Sequence, residues 1–279
     1  MKSFLTFFEA ADESANLKPK RLSDDIVTTF GRHNPPHIGH KLGLDLASDK
    51  AASIGDGDNP ADQRFYTSRS FDPKKNPLPY QLKLDHLKRM FPDHKDKWDD
   101  DPNQRTILNA ATKAHGEGYK NFHFVGGGDR QQPMEDLLRK YNGELYDFDN
   151  IYSHSAGDRV QTGDMLQSMS ASKQRGYAQK DDFDKFNEGI LQHKGYTIDD
   201  AKELFKALQM YGQKNEEYEP EVLRDKYTLG EIFQMGEMVE SLSTGLRGYI
   251  HRRGTNHLIC VTEDGIMFKN FIHDVQAVS

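Results

Sequence analysis

Ten residues gather most of the chemistry this sequence can do: Gly31-Arg32-His33-Asn34-Pro35-Pro36-His37-Ile38-Gly39-His40. His37 and His40 stand three apart, so on the first turn of a helix both imidazoles lie on one face. Pro35 and Pro36 cannot continue a strand ladder, and they fix φ for a tight turn into that helix. Gly39 leaves no Cβ in the way of a ligand approaching the backbone, and first-turn amides with the helix dipole favour an anion. Two imidazoles in that place suit donation of hydrogen bonds to phosphate oxygens as charge develops on them. Two plainer readings compete. His33, His37 and His40 could hold zinc, although the prolines interrupt any helical His-x-x-x-His pairing. The histidines could instead cap and pack, which leaves the glycine and proline spacing without a purpose.

The elements that must position these residues alternate along the chain. Ile26-Val27-Thr28-Thr29-Phe30 reads as a buried strand ending at Gly31, with a helix over about 38–52 after it. Residues 53–79, rich in Gly, Asp, Ser, Asn and Pro, read mostly as a long loop with a strand candidate from Arg64 to Ser68. Helical spacing returns at Leu84, Leu87 and Phe91, and again at Ile107, Leu108, Ala111 and Ala114. Asn121-Phe122-His123-Phe124-Val125 is a compact strand running into Gly126-Gly127-Gly128. A helix carrying Met134, Leu137, Leu138 and Tyr141 then precedes a strand candidate around 144–153. Strands separated by helices predict a parallel sheet of βαβ units. The triple glycine is a weak phosphate-loop signal, since no Gly-Lys-Ser/Thr follows it. Ser170-Ala171-Ser172-Lys173-Gln174-Arg175 reads, taken alone, as a Ser-rich helix cap with solvated basic residues.

The chain has 279 residues, with 37 Lys and Arg against 44 Asp and Glu, a formal charge of −7, a pI near 5.9 and a mean hydropathy of −0.84. This balance argues against a surface that grips nucleic acid or an anionic membrane everywhere, while leaving room for a local basic patch. Cys260 is the one cysteine, which excludes an intrachain disulfide and a Cys-rich zinc site and fits a reducing cytosol. Its place in an alternating strand makes it a core residue. No run approaches the ~20 apolar residues of a membrane span, so no membrane partner is expected.

With these stretches in this order, the sequence resembles the HxGH nucleotidyltransferase superfamily, which includes nicotinamide-nucleotide adenylyltransferases and cytidylyltransferases. It is similar over nearly its full length to the nucleotidyltransferase-like proteins of tailed bacteriophages. Residues 31–40 resemble the family signature G-R-F-x-P-x-H-x-G-H, with His33 where an aromatic is usual. Phe124-Val125-Gly126-Gly127-Gly128-Asp129 is similar to its strand ending in G-x-D, with Gly127 and Asp129 matching. Met169 to Arg175 resembles its I-S-x-T/S-x-x-R motif, with Met169 in place of isoleucine. Lys75 to Tyr80 and Leu87 to Pro92 look like the helix that follows the active-site loop.

The resemblance implies a Rossmann-like α/β domain over 25–212. It implies in-line attack of an acceptor phosphate oxygen on the α-phosphorus of a nucleoside triphosphate, ATP or CTP with Mg²⁺, releasing pyrophosphate. It places His37 and His40 on the transferring phosphate and Arg175 on the pyrophosphate. Gly31, Arg32 and Gly39 become the phosphate cradle, and Gly127, Asp129, Ser170 and Ser172 complete the nucleotide contacts. The expected activity is adenylyl transfer to an acceptor such as nicotinamide mononucleotide. Cytidylyl transfer to a polyol or sugar phosphate is the alternative within enzymes, and a virion or assembly protein using the fold as a binding module is the alternative outside them. A fragment of an aminoacyl-tRNA synthetase shares His37-Ile38-Gly39-His40, but the Gly-Arg and Pro-Pro context fits the small transferases better.

The ends of the chain differ in character from the middle. Residues 1–24 read as a leader, with Phe4, Phe7 and Phe8 on one helical face. It resembles the capsid-targeting peptides of tailed-phage internal proteins, and docking back on the protein is the other reading. A charged linker is expected at 213–229. From 230 to 279, period-two patterning and the Asp264-Gly265 turn signal predict a small β module that looks like an SH3-like, KOW-type barrel. Protein docking or self-association is its expected role. Arg247, Arg252, Arg253 and Tyr249 form the basic-aromatic set that nucleic-acid docking would use.

Overall fold

The computed structural model describes residues 23–55, 60–157, 169–212, 220–242 and 244–278, apart from the side chains of 129 and 220–222. The expected leader lies, but for its last two residues, outside the described residues. A four-stranded parallel sheet forms the centre, in the order β2-β1-β3-β4. β1 is Asp25–Gly31, β2 Asp62–Thr67, β3 Asn121–Gly126 and β4 Asn150–Ser155. β1 is buried along nearly its whole length because it is central and covered on both faces. Its alternation assigns Ile26 and Phe30 to one core with Phe122 and Phe124, and Val27 to a second with Phe65 and Val125.

Helices fill the two layers. On the Val27 side lie α1 (His40–Ile54), α2 (Tyr80–Met90), α5 (Ala171–Gln179), α6 (Phe183–Glu188) and α7 (Ile198–Tyr211). They bury Leu44, Leu84, Leu87, Ala178, Phe186 and Leu204. On the Ile26 side lie α3 (Ile107–Gly116) and α4 (Gly128–Lys140), which bury Ile107, Leu108, Met134 and Leu138. Two strands are longer or later than their local pattern suggests. β2 occupies 62–67 inside what reads as a loop, and β4 starts at Asn150 rather than near 144. Both are edge strands with half-exposed polar residues, so apolar alternation marks them weakly.

The second half of the charged stretch is a helix, α8 (Pro220–Thr228), with Leu223 and Tyr227 buried. A separate antiparallel sheet follows: β5 (Met238–Ser241), β6 (Arg247–Arg253), β7 (His257–Val261), β8 (Met267–Phe271) and β9 (Val275–Ala277), in the order β8-β7-β6-β5-β9. A 3-10 turn, Ile272–Asp274, separates its last two strands. Gly265 sits at φ +81° in the β7–β8 hairpin, the left-handed backbone that the Asp-Gly pair signals. Cys260 is fully buried, and burial pushes its thiol up to about 11.

This sheet does not hang from the chain as an independent bead. Val239, Ile250, Leu258 and Phe268 join one continuous cluster with Phe30, Phe122 and Met134 of the α/β domain. Polar contacts reinforce the seam: the Met267 N–H donates to the Tyr141 hydroxyl at 2.7 Å, and Gln276 Nε2 donates to the Phe71 carbonyl at 3.2 Å. Gly245 lies on the seam at φ +77°, where a Cβ would stand 2.2 Å from the Arg105 carbonyl oxygen. Gly265 has a similar φ but open space around it. Gly245→Ala should therefore cost more than the roughly 1–3 kcal/mol of a strained backbone alone, and Gly265→Ala should stay within it. Urea unfolding of both variants checks this. Equal losses would contradict a close seam at Gly245.

Candidate active site

Strand order reverses between β1 and β3, because the chain turns one way from β1 to β2 and the other way to β3 and β4. In open α/β sheets that reversal leaves a crevice beyond the C-terminal strand ends. A pocket of about 210 Å³ lies there. Its walls come from the segment after β1, the turn after β3 and the start of α5. Gly31, Arg32, His37, Gly39, His40, Gly127, Ser172 and Arg175, all singled out in the sequence, line this one pocket. Ser170 stands outside its lining: its hydroxyl accepts the Lys173 N–H at 3.2 Å and caps α5. The side chain of Asp129, on the first turn of α4, lies outside the described residues.

The segment between β1 and α1 is held from several sides. The Asn34 side-chain carbonyl accepts the Leu78 N–H at 3.1 Å, and its amide donates to Asn76 Oδ1. Asn76 in turn donates to the Ser70 hydroxyl at 2.7 Å. From α5, Arg175 donates to the Asn34 carbonyl at 2.6 Å and to the Ser172 hydroxyl at 3.1 Å. The Asn34–Pro35 peptide is cis. Three motifs far apart in sequence thus brace one another before any ligand enters.

The histidines form a packed group. His37 and His40 have ring centroids 3.8 Å apart, and His33 meets His40 edge-on at 4.7 Å and Trp98 edge-on at 5.3 Å. The Gly39 N–H donates to His37 Nδ1, and the His37 N–H donates to His40 Nδ1, each at 3.1 Å. An Nδ1 that accepts is unprotonated, so in the neutral rings Nε2 carries the proton and is a donor. His33 plays the part of an aromatic packing residue. Its ring takes the space a Gly31 side chain would need, since a Cβ at Gly31 would stand 2.9 Å from His33 Cε1. Gly31 therefore admits the imidazole to the wall of the pocket.

Charge in the pocket is one-sided. Among the described residues its lining includes Arg32, Arg130 and Arg175 and no carboxylate. Burial, helped by the neighbouring Arg32, lowers the Arg175 guanidinium to about 10. Lys75 and Lys83, just behind, are each lowered to about 7 by burial, and Arg32 adds to both. Both lysines end on carbonyls: Lys83 Nζ donates to Ser68 O at 2.5 Å and Lys75 Nζ to Val275 O at 2.6 Å. Arg32 reaches Asp274 at 3.2 Å. Such a place favours an anion with several acceptor oxygens.

Sequence reading alone missed three residues here, Arg130, Trp98 and Asp274, and placed Lys75 only within a stretch resembling the helix after the active-site loop. Arg130 had a usable signal, a basic residue on the first turn after the glycines. Trp98 and Asp274 had none, lying 58 and 234 positions beyond His40 and tied to the motif only through space. Two members of the basic-aromatic set of the C-terminal sheet have partners within the chain, while Tyr249 is 44% exposed. Arg247 pairs with Glu240 at 3.2 Å, and the Arg253 guanidinium lies 4.3 Å over the Tyr227 ring.

No protein-family model matches the chain, and no curated protein does. Among solved structures it is similar to Plasmodium falciparum nicotinic acid mononucleotide adenylyltransferase complexed with APC, at 14% identity and a TM-score of 0.41, over 67% of this chain and 98% of that one. The same enzyme complexed with NaAD gives 12% identity and a TM-score of 0.44 over the same shares.

Burial, with His40, Lys83 and Arg130 nearby, holds His33 well below the usual imidazole range. Below the ordinary value of 6.5 the unfolded chain therefore takes up a proton that the folded chain refuses, so this contribution to stability is complete above that pH and falls as the pH drops through it. His33→Phe keeps an aromatic edge against Trp98 and removes the titration. Unfolding midpoints in urea at pH 7 and pH 5 should show a smaller acid loss for the variant than for the wild type. An identical loss would mean that His33 does not stay neutral in the folded protein.

Proposed function

We propose that this protein is a nucleotidyltransferase that transfers a nucleoside monophosphate, AMP from ATP, to a phosphorylated acceptor such as nicotinamide mononucleotide, with release of pyrophosphate. The observation that carries the reading is the convergence of His37, His40, Arg32, Arg130 and Arg175 on one pocket at the strand-order reversal, with no carboxylate in its described lining.

In this reading an acceptor phosphate oxygen attacks the α-phosphorus in line, and the bond from the α-phosphorus to the bridging oxygen of pyrophosphate breaks. The protein supplies no nucleophile. It positions two anions that repel each other and stabilises the charge that shifts between them. His37 and His40 donate from Nε2 to the transferring phosphate. Arg175, held against Asn34 and Ser172, faces the departing pyrophosphate, and Arg32 and Gly39 form the cradle. Asp129 and Gly127 are assigned to the nucleoside side and Ser172 to the phosphates. Magnesium carried on the triphosphate would neutralise phosphate charge. The C-terminal sheet is read as an SH3-like barrel, supported by its strand order and by the 3-10 turn before its last strand.

The test is magnesium-dependent pyrophosphate release with ATP or CTP against a panel of phosphorylated acceptors. ATP-dependent turnover with nicotinamide mononucleotide is expected. His37→Ala and His40→Ala should each lower kcat by about 10²–10³-fold, as loss of a transition-state donor does, while ATP affinity changes little. Wild-type turnover in either variant would remove that histidine from the mechanism. Turnover with CTP and a polyol phosphate would keep the chemistry and change the substrates. Silence across the panel in folded protein would favour the binding-module reading.

A further inference from the structure

A second, larger cavity adjoins the candidate active site. It measures about 1070 Å³ and shares Arg32, Arg130, Ser172 and Arg175 with the smaller pocket. One wall is α4 and α5 of the α/β domain, and the other is β8 and the 3-10 turn of the C-terminal sheet. Among the described residues, eight Lys and Arg side chains line it against two carboxylates, Asp136 and Asp274, and Asp274 already faces Arg32. This is a local inversion of charge in a chain of net −7. On the wall of the C-terminal sheet, Phe271 and His273 stack with centroids 5.4 Å apart and planes 9° apart, and Phe271 is 46% exposed.

Size and charge together exceed what one small acceptor needs. The volume lies just above the roughly 300–1,000 Å³ that drug-sized ligands fill, and one acceptor phosphate engages a few of the cations. A cationic groove with an exposed aromatic platform is the physical pattern of single-strand recognition, in which phosphates track the charge and an unpaired base stacks on the ring. A duplex would keep its bases from that ring.

We propose that this chamber binds single-stranded nucleic acid bearing a 5′-phosphate, and that this phosphate is the acceptor. The inference rests on the transfer reading above and names its acceptor class, with a mononucleotide as the smallest member. The terminal phosphate oxygen attacks the α-phosphorus of ATP, the bond to the β-phosphate's bridging oxygen breaks, and pyrophosphate leaves. The product is a strand carrying AMP through a 5′,5′ linkage.

The experiment uses the full chain, ATP, and two acceptors: a mononucleotide 5′-phosphate and a 5′-phosphorylated single strand of about eight nucleotides. Adenylylated product is read by mass, and binding of a 3′-labelled strand by fluorescence anisotropy at two salt concentrations. The strand should show a KM at least ~10-fold below that of the mononucleotide. The paired charge reversal Lys180→Glu with Lys269→Glu, on opposite walls, should bring that advantage to within about twofold and flatten the salt dependence. Phe271→Ala should also reduce it. A mononucleotide used as well as the strand, or an advantage that survives charge reversal, overturns the proposal. Absence of turnover with every acceptor overturns the transfer reading itself. Salt-sensitive strand binding that the paired variant loses would then leave the binding site standing, and no strand binding would end it.

Discussion

The concentration of positive charge at the end of β1 is the constraint around which the rest of this molecule is arranged. Arg32, Arg130 and Arg175 meet there because three separate chain segments end at the same crevice. Like charges brought together in a partly buried place repel, and they hold position only if the scaffold is stiff or a counter-charge is supplied. Asp274 supplies part of the counter-charge to Arg32. Lys75 and Lys83 are held differently, since burial lowers each to about 7 and each donates to a carbonyl. What remains unbalanced is available to an anionic ligand.

Stiffness comes from side-chain amides rather than from regular structure. Asn34 and Asn76 tie the segment after β1 to the segment before α2, and Arg175 clamps the Asn34 carbonyl from α5. The same economy governs the histidines. Backbone N–H groups of Gly39 and His37 engage the Nδ1 atoms, so ring orientation and tautomer are set by the local turn. A preorganised donor costs no reorganisation when charge appears, which is why such sites are built on rigid turns at helix starts.

The C-terminal sheet belongs to this arrangement. Its apolar side completes a core begun by Phe30 and Phe122, and its 3-10 turn brings Asp274 and the Val275 carbonyl to Arg32 and Lys75. Without the sheet those two basic groups would lose these partners. The sheet also encloses a chamber against α4 and α5. Two of its three arginines have partners within the chain, Arg247 at Glu240 and Arg253 over the Tyr227 ring.

Sequence alone determined the local elements and the main ingredients of the site. The run from Ile26 to Gly31, the glycines after Val125 and the serines before Arg175 are short-range patterns, and short-range patterns follow from φ/ψ preference and apolar periodicity. His37 and His40 were legible for the same reason, because their spacing fixes their shared face once a helix starts there. The edge strands β2 and β4 were legible only in part, since half-exposed strands alternate weakly. Tertiary structure decided what stands opposite those ingredients. That His33 fills the space beside Gly31, that Lys75 ends on Val275, and that Asp274 answers Arg32 all depend on chain segments up to some 240 positions apart being packed together. No local spacing encodes such pairings. They arise when two sheets bury one apolar core and bring their rims into contact.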